Sequence, residues 1–178
     1  RAAQHHRLDP ETIFRAVAGV HRRCRGAYAV VAMIAGYGML AFRDPYGIRP
    51  LVIGVAEAPG GPEYMVASES VALEACGFRV LRDVDPGEAI YVDFAGTMHA
   101  RQCAESPRLV PCIFEFVYLA RPDSVIDGTS VYESRIHMGA ALARRISAMP
   151  EAQDVDVVIP IPDSSRPSAM QLANDLAL

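Results

Sequence analysis

The sequence lacks the features that mark several classes of protein. None of its apolar runs approaches the roughly 18 residues needed to cross a bilayer, and no secretory signal opens the chain. It also has no long basic run, and its net charge is −4, which argues against a dedicated nucleic-acid binder. We therefore expect a cytoplasmic protein that has neither nucleic acid nor a membrane as its partner.

Paired cysteines and familiar catalytic motifs are missing as well. No CxxC pair occurs, and the widely scattered thiols suit a reducing compartment better than a disulfide framework. The four cysteines are Cys24, Cys76, Cys103 and Cys112. The sequence contains no nucleophile elbow, Walker loop, zinc-ligand spacing or dinucleotide glycine fingerprint. Its 178 residues, 51% apolar and 21% charged, are ordinary for a globular chain of one or two domains.

What is present changes character at about residue 110. Asp9-Pro10-Glu11 predicts the start of a helix, because Asp caps well and Pro suits the first helical position. Short β-type runs follow, separated by Gly and Pro turns, which predicts antiparallel strands. A long helix is predicted from Ser130 to about Met149, stopped by Pro150. We therefore divide the chain into domains at 1–110 and 111–178, leaving helix and strand open for residues 113–120.

Most polar clusters have a simple structural interpretation. The segment 43–50, RDPYGIRP, is most simply a turn that an Arg–Asp pair holds in place. His21 and the arginines after it stand near a helix C-terminus, where cations complement the dipole. Ser68-Glu69-Ser70 is most simply a helix cap. Cys112, beside an apolar run, is most simply a small buried residue.

One stretch combines the features of a ligand site. Residues 155–159, VDVVI, predict a strand that leads through Pro160 and Pro162 to Asp163-Ser164-Ser165. A helix is predicted next, with its apolar side formed by Met170, Leu172, Ala173 and Leu176. Either serine could simply cap this helix. Alternatively, the first-turn N–H groups could bind a phosphate, and the two hydroxyls and the carboxylate could hold a metal ion bound to that phosphate.

Several segments together resemble one family, the glutamine phosphoribosylpyrophosphate amidotransferases. The resemblance covers nearly all of the chain from about residue 10, in matching order and spacing. ARPDS, the long helix and VIPIPDSS are its most specific parts. The matching segments are GAYAVVAMIAGYGMLAFRDPYGIRPLVIG, EYMVASESVALEACGFRVLRDVDPGEAIYVD, PCIFEFVYLARPDSVIDGTSVYESRIHMGAALA and DVVIPIPDSS.

The resemblance implies a two-part fold. Residues 1–110 would be the later part of an α+β N-terminal-nucleophile (class II) glutaminase sandwich. Residues 111–178 would be a crossing segment and the start of an α/β phosphoribosyltransferase domain. Both domains would be partial. The family's nucleophilic cysteine should open the mature enzyme, whereas residue 1 here is Arg. The chain therefore resembles an internal fragment, with no catalytic residue of its own and no expected activity alone.

The resemblance also implies substrates, cofactors and site residues. The parent enzyme would use glutamine and phosphoribosyl pyrophosphate to make 5-phosphoribosylamine in the first step of de novo purine synthesis. Purine nucleotides would inhibit it, and it would form a homo-oligomer. Asp163, Ser164 and Ser165 match the family's pyrophosphate loop, with Ser165 the expected contact to Mg²⁺. Cys112 falls where some members place the first of four [4Fe-4S] ligands, and members without a cluster can also carry cysteine there.

Two alternatives stay open. Another class II glutamine amidotransferase, such as a sugar aminotransferase, would share the β-rich half. The ARPDS and DVVIPIPDSS segments argue against that choice. A non-catalytic binding module could also keep the scaffold. A cysteine at the start of the parent's mature chain would discriminate against the second alternative, and phosphoribosyl pyrophosphate binding against the first.

Overall fold

A computed structural model describes residues 8–150 and 154–178. The chain forms two compact units, Arg1–Pro111 and Cys112–Leu178. We refer to them as unit 1 and unit 2. The family identities that the sequence suggests for residues 1–110 and 111–178 stay predictions.

Unit 1 contains two helices and seven strands among its described residues. The predicted start of the first helix is confirmed, because Asp9 accepts a hydrogen bond from the backbone N–H of Thr12 at 2.7 Å. The helices are α1 (Pro10–Arg23) and α2 (Ser70–Ala75). The strands are β1 (Ala29–Ile34), β2 (Gly38–Arg43), β3 (Val52–Ala58), β4 (Gly61–Ala67), β5 (Arg79–Asp83), β6 (Glu88–Asp93) and β7 (Met98–Gln102).

These strands form two antiparallel sheets, as the turn pattern predicts. The first sheet has the order β1-β2-β6-β7, and the second has the order β4-β3-β5. Alternation of side chains gives each sheet two faces. On the first sheet, Phe42 and its neighbours pack against α1. The intervening residues Ala41 and Ile90 pack against Ile53 of the second sheet.

The outer face of the second sheet is covered by α2. Gly54, which follows the inward-facing Ile53, faces this helix. A Cβ at Gly54 would lie 3.0 Å from Leu73 Cδ1, so the absence of a side chain permits the close approach. Unit 1 is therefore a four-layer arrangement of helix, sheet, sheet and helix.

Unit 2 contains a π-helix, a small hairpin and two longer helices. The π-helix spans Glu115–Leu119, where periodicity left helix and strand open. The hairpin pairs β8 (Val125–Ile126) with β9 (Thr129–Ser130). Helix α3 spans Val131–Ser147, and α4 spans Arg166–Leu176. Ser130 caps α3 by accepting a hydrogen bond from the Glu133 N–H at 3.2 Å, as expected for a serine at this position.

Helices α3 and α4 approach closely at a glycine. A Cβ on Gly139 would lie 3.0 Å from both Gln171 Cβ and Ser168 Cα, so a larger residue would force the helices apart. The buried positions of α3 repeat every four residues, whereas Leu142 on the same helix is 46% exposed. The buried residues of α3 are Val131, Arg135, Gly139 and Ala143.

The strand predicted at residues 155–159 is absent. The segment has no neighbouring strand among the described residues of unit 2. A single strand cannot satisfy its own backbone groups, so β-type sequence alone does not form one. Most of its apolar side chains are exposed, as expected for a strand without neighbours: Ile159 is 79% accessible, and Ile161 just beyond the segment is 81% accessible. Met170 of α4, predicted to be apolar core, is also exposed, while Leu172 is buried. Throughout the described ranges, every helix is too short or too polar to cross a bilayer.

Candidate functional site: the loop before α4

The residues singled out by the sequence lie together at the start of α4. Ser164 and Ser165 are half-buried and Asp163 is exposed. The peptide bond between Pro162 and Asp163 is cis. Ser165 occupies the N-cap position of α4, but its side chain makes no capping hydrogen bond. Its hydroxyl instead donates to the carbonyl oxygen of Ile161. The simple interpretation, in which one of these serines caps the helix, is therefore wrong.

The hydroxyl of Ser165 remains able to accept. A hydroxyl has one donor hydrogen and two lone pairs, and the bond to Ile161 uses only the hydrogen. The bond fixes the direction of the hydroxyl and leaves its lone pairs for a cation or a donor. The Ser164 side chain makes no hydrogen bond within the described residues. Both serine hydroxyl oxygens can therefore accept from a ligand or bind a cation without losing a hydrogen bond that they already accept.

Arg166 is the loop residue that the sequence analysis missed. Its guanidinium lies 2.7 Å from a carboxylate oxygen of Asp163, and the two side chains are 66% and 82% exposed. Such an exposed pair is weak, and a phosphate could replace the carboxylate at the guanidinium. The sequence carried little signal for this role, because a cation at a helix N-terminus opposes the dipole.

The start of α4 offers an anion fewer backbone N–H donors than the sequence suggests. Pro167 has no N–H group, and the Arg166 N–H donates to Asp163 O at 3.3 Å. Two of the first-turn donors that usually serve anions are therefore unavailable. Any anion bound here would depend more on the serine hydroxyls and on Arg166 than on helix amides.

The polar loop of unit 1 is built differently. Arg43 is fully buried, and it donates to Val84 O at 2.9 Å, Gly47 O at 2.8 Å and Arg49 O at 2.6 Å. Asp44 is also fully buried. It accepts from the N–H groups of Tyr46, Ile48 and Arg49 at 2.9 to 3.1 Å. Because these bonds all run to the loop and its surroundings, the segment is a structural turn.

A cavity of about 500 Å³ adjoins the C-terminal end of α1. His21 lines this cavity. The sequence suggested that His21 is a cation that complements the helix dipole, and the structure does not support that role. Its Nε2 lies 3.1 Å from Gly87 O, so Nε2 carries the proton, and Nδ1 accepts from the Tyr28 hydroxyl at 2.8 Å. Burial lowers the pKa of His21. Burial raises the pKa of the nearby Cys103 thiol to about 11, so it is a poor nucleophile at neutral pH.

Cys112, the candidate cluster ligand, is half-buried at the beginning of unit 2. A [4Fe-4S] cluster needs four ligands, usually cysteines. Within residues 8–150 and 154–178, no three His, Cys, Asp or Glu side chains lie close enough together to hold a metal ion. The described residues therefore do not make a cluster site by themselves, and the role of Cys112 stays a prediction.

Comparison with known proteins gives long and close matches. The chain is 56% identical over 172 residues to the amidophosphoribosyltransferase of Pasteurella multocida, and it covers 34% of that protein. It is 54% identical over 174 residues to the Escherichia coli amidophosphoribosyltransferase, again covering 34% of it. These matches include 96% and 97% of the present chain. Over nearly its whole length, the sequence is similar to amidophosphoribosyltransferases. The chain spans about a third of the length of the curated relatives that it matches.

Solved structures give the same answer for the fold. The Bacillus subtilis glutamine phosphoribosylpyrophosphate amidotransferase in complex with ADP and GMP matches with a TM-score of 0.73 and 31% identity. The match covers 97% of this chain and 38% of that one. The antiparallel, helix-flanked sheets of unit 1 thus agree with the fold of this amidotransferase and with the glutaminase sandwich predicted from the sequence. No family model matches the chain.

Proposed function

We propose that the full-length protein makes 5-phosphoribosylamine from glutamine and phosphoribosyl pyrophosphate, in the first step of de novo purine synthesis. Water would hydrolyse the glutamine amide to glutamate and ammonia. Ammonia would then attack C1 of the ribose, and pyrophosphate would leave. The kinship of nearly the whole chain to amidophosphoribosyltransferases is the observation that carries this proposal.

The contribution of this chain is to hold the leaving group. Ser164 presents a hydroxyl without a hydrogen bond to the described residues, and Ser165 has free lone pairs. Arg166 supplies an exposed positive charge next to them. Clamping a diphosphate lowers the barrier to its departure, because charge builds on its oxygens in the transition state. We propose that Asp163, Ser164, Ser165 and Arg166 form this part of the site.

Magnesium is the metal expected with a diphosphate, and it would neutralise charge on the leaving oxygens. Mg²⁺ commonly keeps several waters and takes few protein ligands. One hydroxyl from Ser165 therefore suits it, with phosphate oxygens and water as the other ligands. The described part of the chain places no carboxylate cluster around Asp163, which does not conflict with such a site.

We also propose how the parent protein is regulated, where it is located and how it assembles. We expect purine nucleotides to inhibit it, as the presence of ADP and GMP in the Bacillus subtilis complex suggests. We also expect a cytoplasmic homo-oligomer. A [4Fe-4S] cluster that uses Cys112 remains a separate proposal, to be tested by iron analysis of the purified protein.

The decisive assay uses the full-length gene product with Mg²⁺, glutamine and phosphoribosyl pyrophosphate. We expect release of pyrophosphate that depends on glutamine and is also supported by ammonia. The 178-residue chain alone should show neither glutaminase nor transferase activity. Glutaminase turnover that is coupled to another acceptor, such as a sugar phosphate, would replace this proposal with a different class II amidotransferase.

A further inference from the structure

Arg135 is a buried charged residue of unit 2 that the proposed function does not use, as is Glu115 at the start of the π-helix. Arg135 lies on α3 and is only 2% exposed. Its Nε donates to Phe116 O at 2.8 Å, and its Nη2 donates to Ala120 O at 2.7 Å. A buried guanidinium at such bond lengths is strongly held, because its charge strengthens each bond and desolvation penalises any loss.

The two carbonyls that Arg135 binds belong to the π-helical segment. The Ala120 N–H closes the π-helical turn by donating to Glu115 O at 2.9 Å. The carbonyls at the C-terminal end of any helix lack partners within the helix. Arg135 supplies two such partners and places a cation at the negative end of the helix dipole. The guanidinium therefore fixes the wide π-helical turn against α3.

The backbone of the same residue is bonded to α4. The Ser168 hydroxyl donates to Arg135 O at 2.8 Å. Ser168 is the third residue of α4, directly after the loop of Asp163, Ser164 and Ser165. The close approach at Gly139 adds a second contact, since a Cβ there would lie 3.0 Å from Ser168 Cα. These two contacts therefore fix the position of the first turn of α4 along the axis of α3.

We infer that Arg135 is a positioning residue that joins the π-helix to the loop before α4. Its side chain holds the π-helix, and its carbonyl holds the first turn of α4 through Ser168. A shift of the π-helix would thus be transmitted through α3 to the loop. The ligand-binding role of the loop rests on the proposed function, but the mechanical connection does not.

The test compares four variants of the full-length gene product by hydrogen exchange. Arg135→Lys keeps the charge but loses the planar two-donor geometry. Ser168→Ala removes only the bond to α4. Ser147→Ala is a matched control, because its hydroxyl donates to Ala143 O within α3 at 2.9 Å. Arg144→Lys controls for an exposed arginine on the same helix.

We expect Arg135→Lys to speed exchange about tenfold or more at residues 115–120 and again at residues 163–170. Ser168→Ala should speed it only at residues 163–170, and the two controls should change neither segment. Unchanged exchange of residues 163–170 in both Arg135→Lys and Ser168→Ala would overturn the inference.

Kinetics separate positioning from general destabilisation. With near-UV circular dichroism unchanged, Ser168→Ala should raise KM for phosphoribosyl pyrophosphate at least threefold while kcat stays within twofold. Equal losses in Ser168→Ala and Ser147→Ala would indicate a structural effect and contradict the inference. If the wild-type protein does not bind phosphoribosyl pyrophosphate but the exchange pattern is as expected, the proposed function fails and the positioning role stands.

Discussion

Two polar loops of this chain are similar in composition and opposite in construction. The loop at residues 43–49 buries Arg43 and Asp44 completely and satisfies them with backbone groups. The loop at residues 160–166 leaves Asp163 and Arg166 mostly exposed, and within residues 8–150 and 154–178 each has only the other as a charged partner. The first arrangement uses its polar groups to stabilise the fold. The second keeps them accessible to a ligand, which is why we place the candidate site there.

The largest expected effect is on the stability of unit 1. Asp44→Ala would leave three part-buried N–H groups without the buried carboxylate that accepts from them at 2.9 to 3.1 Å in the native loop. We expect a loss of about 3 kcal/mol or more in the free energy of opening. Hydrogen exchange of β2 and β3 amides in the full-length protein would measure it. Glu57→Ala, an exposed carboxylate on β3, should change it by less than about 0.5 kcal/mol. Similar values for both variants would show that the buried loop is not structural.

The next effect is on binding by the second loop. Ser165→Ala should weaken binding of phosphoribosyl pyrophosphate with Mg²⁺ by about tenfold, the cost of one lost polar contact to a charged group. Stability should stay within about 0.5 kcal/mol, because the Ser165 hydroxyl is not in the core. Calorimetric titration and thermal unfolding measure the two quantities. Unchanged affinity would remove Ser165 from the site.

A smaller effect concerns pH. Burial lowers the pKa of His21 in the folded chain, so the native state binds fewer protons than the unfolded state. The stability from the neutral ring is fully present above the unfolded pKa of about 6.5. It is lost as the pH falls from that value through the folded pKa. His21→Gln keeps a donor for Gly87 O and should flatten this slope in pH-dependent unfolding. A slope that is unchanged in the variant would assign the proton uptake to another group.

The smallest effect is expected at the exposed ion pair. Arg166→Ala should change the stability of the unliganded protein by less than about 0.5 kcal/mol, since both side chains lie mostly in solvent. The same variant should weaken binding of inorganic pyrophosphate. A large loss of stability without ligand would mean that the second loop is structural like the first.

The sequence predicts best where the deciding interaction is local. Asp9 caps its helix as predicted, and Ser130 caps the helix predicted to begin there, because capping depends on residues three positions apart. The antiparallel sheets are also foreseeable, since glycines and prolines separate adjacent strands that pair through short turns. The similarity to amidophosphoribosyltransferases is also visible in the sequence, because long motifs match in order.

Prediction fails where a distant partner decides the structure. Residues 155–159 are β-type in sequence but have no strand beside them among the described residues. The carbonyls of the π-helical segment are bonded by Arg135, which lies 15 residues beyond Ala120 along the chain. A signal for Arg135 did exist, because it shares a four-residue spacing with Val131 and Gly139 on the buried side of α3. An arginine on that side predicts a buried partner rather than a solvent-exposed face.

The most direct measurement is a crystal structure of the full-length gene product with phosphoribosyl pyrophosphate and Mg²⁺. We predict diphosphate oxygens within hydrogen-bond distance of Ser164 and Ser165, with the guanidinium of Arg166 turned from Asp163 towards the phosphate. A diphosphate bound elsewhere, with the Asp163–Arg166 pair intact and both hydroxyls facing solvent, would contradict the account.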